Sequence, residues 1–474
     1  MEQNSSIQVG QMRCAKWATP DARTQPCDLS QPYLLPPALQ DWLPEHHLAR
    51  FIGEVCEQLD LSALYAHYER GDGRGMAAYH PLMLTRLLLY AYCVGKPSSR
   101  QIEKATHDEL AFRYLAADQH PDHDTIAAFR QQHLQALAGL FVQALQMCRE
   151  AGLVKLGHVA LDGTKLRAQA SQRVNRDYAQ LKAEERELAR EVRRLMRAAA
   201  SVDAAEDARY GQGRRGDELP AELATSGQRL ARLRAARRKM EQQAREVAAQ
   251  AERERAAAGG HARNEAERKR WQRARRRATA PEGSINLTDA DSRTMKDGAT
   301  GSFLQGYNAQ AVVDQAAQVI VAADVVAQPT DHAQLAPMVE QTECNLAARP
   351  ATLSADAGYW SEAALADPAL EGIDVLVAPG STNARHARRP LPPNAPRSER
   401  AKRMRERLSS APGRAVYALR KAIVEPVFAY IKERRGFRRF SLRGLVQVRA
   451  EWALICLTHN LLKLYAARNA APAA

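Results

Sequence analysis

Three acids sit where metal chemistry could be assembled: Asp162, Asp356 and Glu425. Asp162 and Asp356 each close an aliphatic, strand-like run, and strand ends along one edge of a sheet are where α/β folds place ligands. Glu425 lies in a long helical run just ahead of a basic segment. Carboxylate oxygens are the hard donors that Mg²⁺ and Mn²⁺ prefer. Two such ions, about 3.5–4 Å apart, can activate a water or hydroxyl and stabilise the leaving 3′ oxygen of a phosphodiester. Converging carboxylates repel one another, so the cluster itself calls for cations. Taken one at a time, the acids have plainer readings. Asp-Gly after a strand is commonly a turn, Asp356 can cap the next turn of chain, and Glu425 can be a surface acid of its helix.

The elements that must position these acids read as α/β from Gly157 onward. HVALDGTK (158–165) reads as a buried strand ending in a turn at Asp-Gly. GYNAQAVVD (306–314) and QVIVAADVVA (318–327) read as a hairpin joined through 314–318. DHAQLAPMVEQTECNLA (331–347) is helical, TLSADAGYW (352–360) is a strand running into a loop, and IDVLVAPG (373–380) is another strand. AVYALRKAIVEPVFAYIKERRG (415–436) is helical, followed by basic GFRRFSLRG (436–444) and a closing helix, VRAEWALICLTHNLLKLYAAR (448–468). Such alternation predicts a mixed sheet flanked by helices, over residues 155–171 and 281–467.

A charged segment, 172–280, interrupts that domain. Leu181, Leu188 and Leu195 recur every seven residues, with Val192 on the companion position. After a Gly-rich turn at 211–216, Leu230, Leu233, Arg237, Met240, Ala244, Val247 and Ala251 keep the three-four alternation. The pattern predicts a helical hairpin or coiled coil with a thin apolar seam. KRWQRARRRA (269–278) is one-sidedly basic and suited to a phosphate backbone.

Ahead of the sheet, residues 1–30 read as a loose arm and 31–150 as helical. Pro44 opens a helix with Leu48, Phe51, Ile52, Val55 and Leu59 at helical spacing. LMLTRLLLYAYCV is apolar nearly all round, as a central helix of a bundle is. Ser98 and Gln101 form a capping box, and Asp122 and Asp124 are caps for the long run TIAAFRQQHLQALAGLFVQALQMC. Short helices ahead of a long one read equally as a helix-turn-helix or as plain packing.

Composition narrows the partners. The chain has 474 residues, 45% hydrophobic, which excludes wholesale disorder. A net charge of +14 and a pI near 9.6 suit a polyanion, nucleic acid above all. Seven scattered cysteines without a C-x-x-C pair indicate reduced thiols rather than a zinc site or disulfide framework. No signal peptide is expected, and the longest apolar run, Pro81 to Gly95, is too short to span a bilayer. A soluble cytoplasmic, nucleoid-associated protein is the expectation.

Several segments carry a family resemblance. ALDGTKL (160–166), SRTMK (292–296), GYNAQAVVD (306–314), LSADAGYWSE (353–362), VEPVFAYIKERRGFRRFSLRG (424–444) and EWALICLTHNLLKL (451–464) resemble those of DDE transposases of bacterial insertion sequences. The branch is the one with a Y-R-E-K motif on the helix of the third acid. YHPLMLTRLLLYAYCVGKPSSRQIEKATHDELAFRYLA (79–116) resembles its N-terminal domain. The resemblance implies an RNase H-like catalytic domain, with Asp162, Asp356 and Glu425 as its metal ligands. It implies two Mg²⁺ ions, for which Mn²⁺ can substitute, and double-stranded DNA as partner, both transposon ends and target, bound by a homodimer. The implied activity is metal-dependent cleavage at the ends and transfer of the freed 3′-hydroxyl into target DNA. Two alternatives stay open: an RNase H-like nuclease without strand transfer, and an inactive DNA-binding relic.

The Y-x2-R-x3-E-x6-K spacing fits Glu425 and Lys432 but shifts upstream. The Arg slot holds Lys421 and the Tyr slot Ala418, with Arg420 and Tyr417 each one residue early. On an ideal helix Lys421 lies about 40° from Glu425, Lys432 about 20°, and Arg420 about 140°. Helical geometry therefore predicts Lys421 as the cation beside the acids, unless a kink at Pro426 brings Arg420 round. Lys421, Arg420, Lys432 and Tyr417 are the candidate DNA contacts. Asp324 and Asp331 compete as the second acid and rank below Asp356. His332 and His459 read as structural or surface groups, and Tyr359 and Trp360 read equally as base-stacking or core residues.

Overall fold

The computed structural model describes residues 38–66, 68, 78–210, 221–257, 281–297, 301–380 and 398–470. The expected arm at 1–30, the turn at 211–216 and the basic patch at 269–278 lie outside the described residues.

A six-stranded mixed sheet organises the part of the chain from His158 onward. β1 (His158–Arg167) pairs antiparallel with β5 (Phe303–Asp314) and parallel with β7 (Thr352–Ala355), which pairs parallel with β8 (Asp374–Val377). β4 (Arg293–Lys296) and β6 (Ile320–Val326) both pair antiparallel with β5, β4 along residues 303–306 and β6 along 308–313. The expected hairpin is β5–β6, and β4, formed by RTMK, is a strand that hydropathy alone does not mark. The helix expected ahead of β7 is α10 (Leu335–Leu346), which packs on β6.

α13 (Leu445–Ala470) is the spine of the core. Trp452, Ile455, Leu457 and Leu461 are fully buried on it. Asn460, also fully buried, satisfies its amide against β6: Ile320 N–H donates to Oδ1 and Nδ2 donates to Ile320 O, both at 2.8 Å. A buried amide without partners costs roughly 1–3 kcal/mol, so this pairing explains an Asn among leucines.

The helical region packs onto the same spine. α1 (Leu48–Gln58) is capped by His47, and α2 (Ser62–Tyr65) is a single turn. α3 (Pro81–Cys93) is buried almost all round, as its apolar run predicts, and lies against α13. α4 (Ser99–Asp108) begins after Ser98, whose hydroxyl makes no capping bond, so the expected capping box is absent. α5 (Leu110–Leu115) is a short helix after it. The single long helix expected after Asp122 is two, α6 (His123–Gln132) and α7 (Leu134–Glu150), parted at His133. Asp122 does cap α6, accepting from Thr125 N at 2.6 Å. Arg435, buried beneath, donates to Tyr92 O at the end of α3 (2.9 Å from Nη2), to Ile455 O (3.1 Å) and to the Thr458 hydroxyl. It caps α3 and binds α13 at once.

The insert is a pair of antiparallel helices, α8 (Tyr178–Tyr210) and α9 (Ala221–Ala257). Leu181, Leu188, Leu230, Leu233, Ala236 and Met240 form its own small core with Ile285. The seam continues through Ala244 and Ala248 rather than Val247, which is 66% exposed. Arg237 leaves the seam and pairs with Glu185 at 3.2 Å. At the base, β2 (Asn175–Asp177) pairs with β3 (Ser284–Asn286), so the chain leaves and re-enters the domain at one place. Among the described residues no helix is long and apolar enough to cross a membrane. Cys56, Cys93, Cys148 and Cys456 are buried free thiols, and Cys344 is an exposed one.

Candidate active site

β1 does not end at Asp162. The strand runs unbroken from His158 to Arg167, with Asp162 and Gly163 in its middle. The glycine answers a packing need rather than a turn. A Cβ there would stand 2.5 Å from Gln310 Nε2, 2.8 Å from Asp331 Oδ1 and 2.9 Å from Asn308 Oδ1. The shorter neighbour, β7, does stop. Leu161 is opposite Ala355 in the parallel pair, so Asp356, the next residue, emerges beside Asp162. In-register neighbours on parallel strands point their side chains the same way, which is how two distant acids become adjacent.

Asp162 is held in a poorly solvated place. Burial, then the charge of Asp356, pushes the Asp162 carboxyl up to about 7, against the opposing pull of Arg420. Asp162 Oδ1 accepts from Gly163 N at 2.8 Å. Asp356 caps the 3-10 turn Ala357–Tyr359 by accepting from Gly358 N, also at 2.8 Å. Capping and adjacency to Asp162 are not exclusive, so its plain structural reading holds too.

α12 (Ala411–Ala429), preceded by α11 (Glu399–Ser409), delivers the cation. Arg420 is buried and its Nη1 stands 3.5 Å from Asp162 Oδ2, whereas Lys421 is exposed. This reverses the expectation that Lys421 stands beside the acids. Angles taken from Glu425 give the wrong phase, because the face that packs is set by Ile423, Val424, Val427 and Phe428. Arg420, about 40° from Val424, belongs to that face. Pro426 leaves Ala422 O without its helical donor, and Gln318 Nε2 supplies one at 3.0 Å. Tyr417 lies under the Arg420 guanidinium, 5.7 Å to the ring centre, and its hydroxyl donates to Ala355 O at 3.2 Å. Arg420 and Tyr417 thus grip both acid-bearing strands.

Glu425 does not join the pair. It is exposed on α12, and among the described residues no three acids lie close enough to share an ion. With Arg420 facing the acids, a residue about 140° round the helix cannot face them as well. Past α12, a π-turn (Tyr430–Arg434) carries Lys432, whose Nζ donates to Lys165 O on β1 at 3.2 Å; burial lowers its pKa.

The competing residues separate cleanly. Asp324 pairs with Arg449 at 2.9 Å. His332 is exposed, and His459 is buried, its pKa pulled down by burial to about 3 while its Nε2 donates to Gln318 O. Tyr359 is fully buried, which removes it from base stacking; Trp360 is partly buried. Asp331 stands nearer the acids than its low sequence ranking implies. It lies against Gly163 and Gly358, accepting from Asn308 Nδ2 at 2.6 Å and Gln310 Nε2 at 2.8 Å. Asn and Gln at alternate positions of a buried strand, Asn308 and Gln310 on β5, are the signal for it that the sequence holds.

The basic segment returns alongside β1. Arg167 N donates to Arg438 O (3.1 Å) and Phe440 N to Arg167 O (2.9 Å), while buried Glu451 accepts from Ser441 N and Leu442 N. Arg434, Arg438, Arg439 and Arg443 stay exposed on this shelf, past the acids along β1.

Two family descriptions match the chain. Residues 37–132 match "Transposase domain (DUF772)", and residues 281–461 match "Transposase DDE domain". Together they span more than half of the chain. The DDE match implies an RNase H-like fold, as the mixed sheet with flanking helices expresses. It begins after the insert, so β1 and Asp162 enter the domain through sheet pairing. No curated protein and no solved structure among those compared matches the chain.

Proposed function

Since the chain belongs to the DDE transposases of insertion sequences, we propose that it cuts its element's DNA at the ends and joins the freed 3′-hydroxyls to target DNA. DDE transposases act on DNA and use divalent metal ions; here the ions would be two Mg²⁺, for which Mn²⁺ can substitute. The observation that carries the reading is the emergence of Asp162 and Asp356 beside one another, one residue past the Leu161–Ala355 pair, with the Arg420 guanidinium against Asp162.

The donor set fits a hard cation. Two carboxylates stand together, and burial together with the charge of Asp356 holds Asp162 near neutrality in proton affinity, the mark of a poorly solvated site. Asp162 and Asp356 would hold the metal, while Glu425, the third acid of the resembling motif, is exposed on α12 away from the pair. Such an ion polarises the scissile phosphate and lowers the pKa of the attacking oxygen. Arg420, anchored by Tyr417, sets a forked donor beside the acids, suited to a phosphate oxygen. Lys432 and the exposed arginines of the shelf follow the DNA backbone, and Lys421 makes an outer phosphate contact. The protein works as a homodimer on DNA, in the cytoplasm at the nucleoid.

The test is strand transfer. DNA flanking the reading frame, supplied as uncut duplex with Mg²⁺ and a supercoiled plasmid, should be cut at the ends and joined to the plasmid. Cleavage without joining would support a nuclease instead. DNA binding with neither would support a relic.

A further inference from the structure

The acid that stands with the pair is Asp331, against Gly163 of β1 and Gly358 after β7, and not Glu425, which is exposed on α12. A Cβ on Gly163 would meet one Asp331 oxygen at 2.8 Å, and a Cβ on Gly358 would meet the other at 3.4 Å and Asp356 Oδ1 at 3.0 Å. The carboxylate therefore spans from the residue after Asp162 to the turn that Asp356 caps. Gln310 Nε2 donates to Asp331, while Gln310 Oε1 accepts from the hydroxyl of buried Tyr359, on that same turn. Asn308 donates to Asp331 as well, but its own Oδ1 has no partner although the residue is fully buried. That oxygen would lie 2.9 Å from the same Gly163 Cβ, so it faces the same space as Asp331. An unpaired buried acceptor beside a carboxylate is a place for a donor: a water, and most favourably one polarised by a cation.

Resting on the metal reading above, we infer that Asp331 is a positioning residue of the cation site, an outer carboxylate that orients Asp356 through Gln310 and Tyr359 and, with Asn308 Oδ1, would accept hydrogen bonds from the hydration shell of a cation held there. Its charge also reaches Asp162, where it adds to the effect of Asp356. Outer groups of this kind change metal affinity by about 10–100-fold when removed.

Mn²⁺ binding to the full-length protein, read by loss of the free-ion EPR signal, tests this without DNA or turnover. Asp331→Asn keeps the side chain's shape, so the expected result is Mn²⁺ affinity weakened by about 10–100-fold. Asp162→Asn, run alongside, should weaken it at least as much. Unchanged affinity in Asp331→Asn with a weakened Asp162→Asn overturns the role of Asp331 alone. Unchanged affinity in both overturns the metal reading beneath it. Gln310→Met severs the bridge to Tyr359 and leaves Asp331 charged. It should weaken Mn²⁺ several-fold, and it decides the question if Asp331→Asn does not fold; unchanged affinity there overturns the inference.

Discussion

Asp162→Asn should make the metal-free protein more stable, and only above mildly acidic pH. The carboxyl titrates near 7 in the folded protein against an ordinary value of 3.8, because burial and then Asp356 disfavour its charge. At about 1.4 kcal/mol per unit, the folded state carries a penalty of about 4 kcal/mol once the group is ionised, and a gain of about 2–4 kcal/mol is expected after local relaxation. The pull of Arg420 is already contained in that net shift. The sign comes from proton uptake. Well below pH 4 both states hold the proton, so the substitution gains nothing there. Between about 4 and 7 the folded state holds it more firmly, so wild-type stability falls as pH rises through that window. Urea unfolding in EDTA, followed by tryptophan fluorescence, should show the variant ahead by about 2–4 kcal/mol at about pH 8 and level at about pH 4. Mg²⁺ should narrow the gap by stabilising only the wild type. A variant less stable than wild type at about pH 8 would mean that the Arg420 pair outweighs burial, and the electrostatic argument would fail.

Other perturbations probe the frame around the acids. Gly163→Ala should lose about 1–3 kcal/mol in the same unfolding assay, because its Cβ meets three polar atoms at 2.5–2.9 Å; a neutral effect would mean the pocket yields freely. Arg435→Met should lose about 3 kcal/mol or more by stranding buried acceptors on α3 and α13, with parallel loss of helical and sheet signals. Replacing residues 178–257 by a short linker should leave the sheet folded, since the paired helices have their own core and are closed at the base by β2–β3; loss of cooperative unfolding would show that they complete the main core.

The sheet is legible in the sequence because its strands are aliphatic runs punctuated by turns, and β5, β6, β7 and β8 lie where those runs lie. β4 is not, since RTMK has two cations and is a strand only because β5 offers it an edge. Asp162 and Asp356 can be picked out by position, but their in-register adjacency depends on β7 pairing parallel to β1, a long-range fact. Asp-Gly reads as a turn because a glycine needed for close approach and one needed for a turn look alike in sequence. Phasing the helix on its acid favours Lys421 over Arg420; the apolar stripe Ile423, Val424, Val427 fixes the phase instead. Asp331 flanks a strand end and competes with Asp356 in the sequence, but only the folded chain shows that the Asn308 and Gln310 amides are aimed at it.

The central claim is that Asp162 and Asp356 together hold the metal that cuts DNA. Single-turnover cleavage of a duplex carrying the DNA that flanks the reading frame, in Mg²⁺, measures it most directly with Asp356→Asn, whose retained DNA binding is checked in Ca²⁺. Wild type should release a 3′-hydroxyl end, and the variant should bind equally while cutting more than about 100-fold more slowly. A folded Asp356→Asn protein that cuts at the wild-type rate would contradict the account.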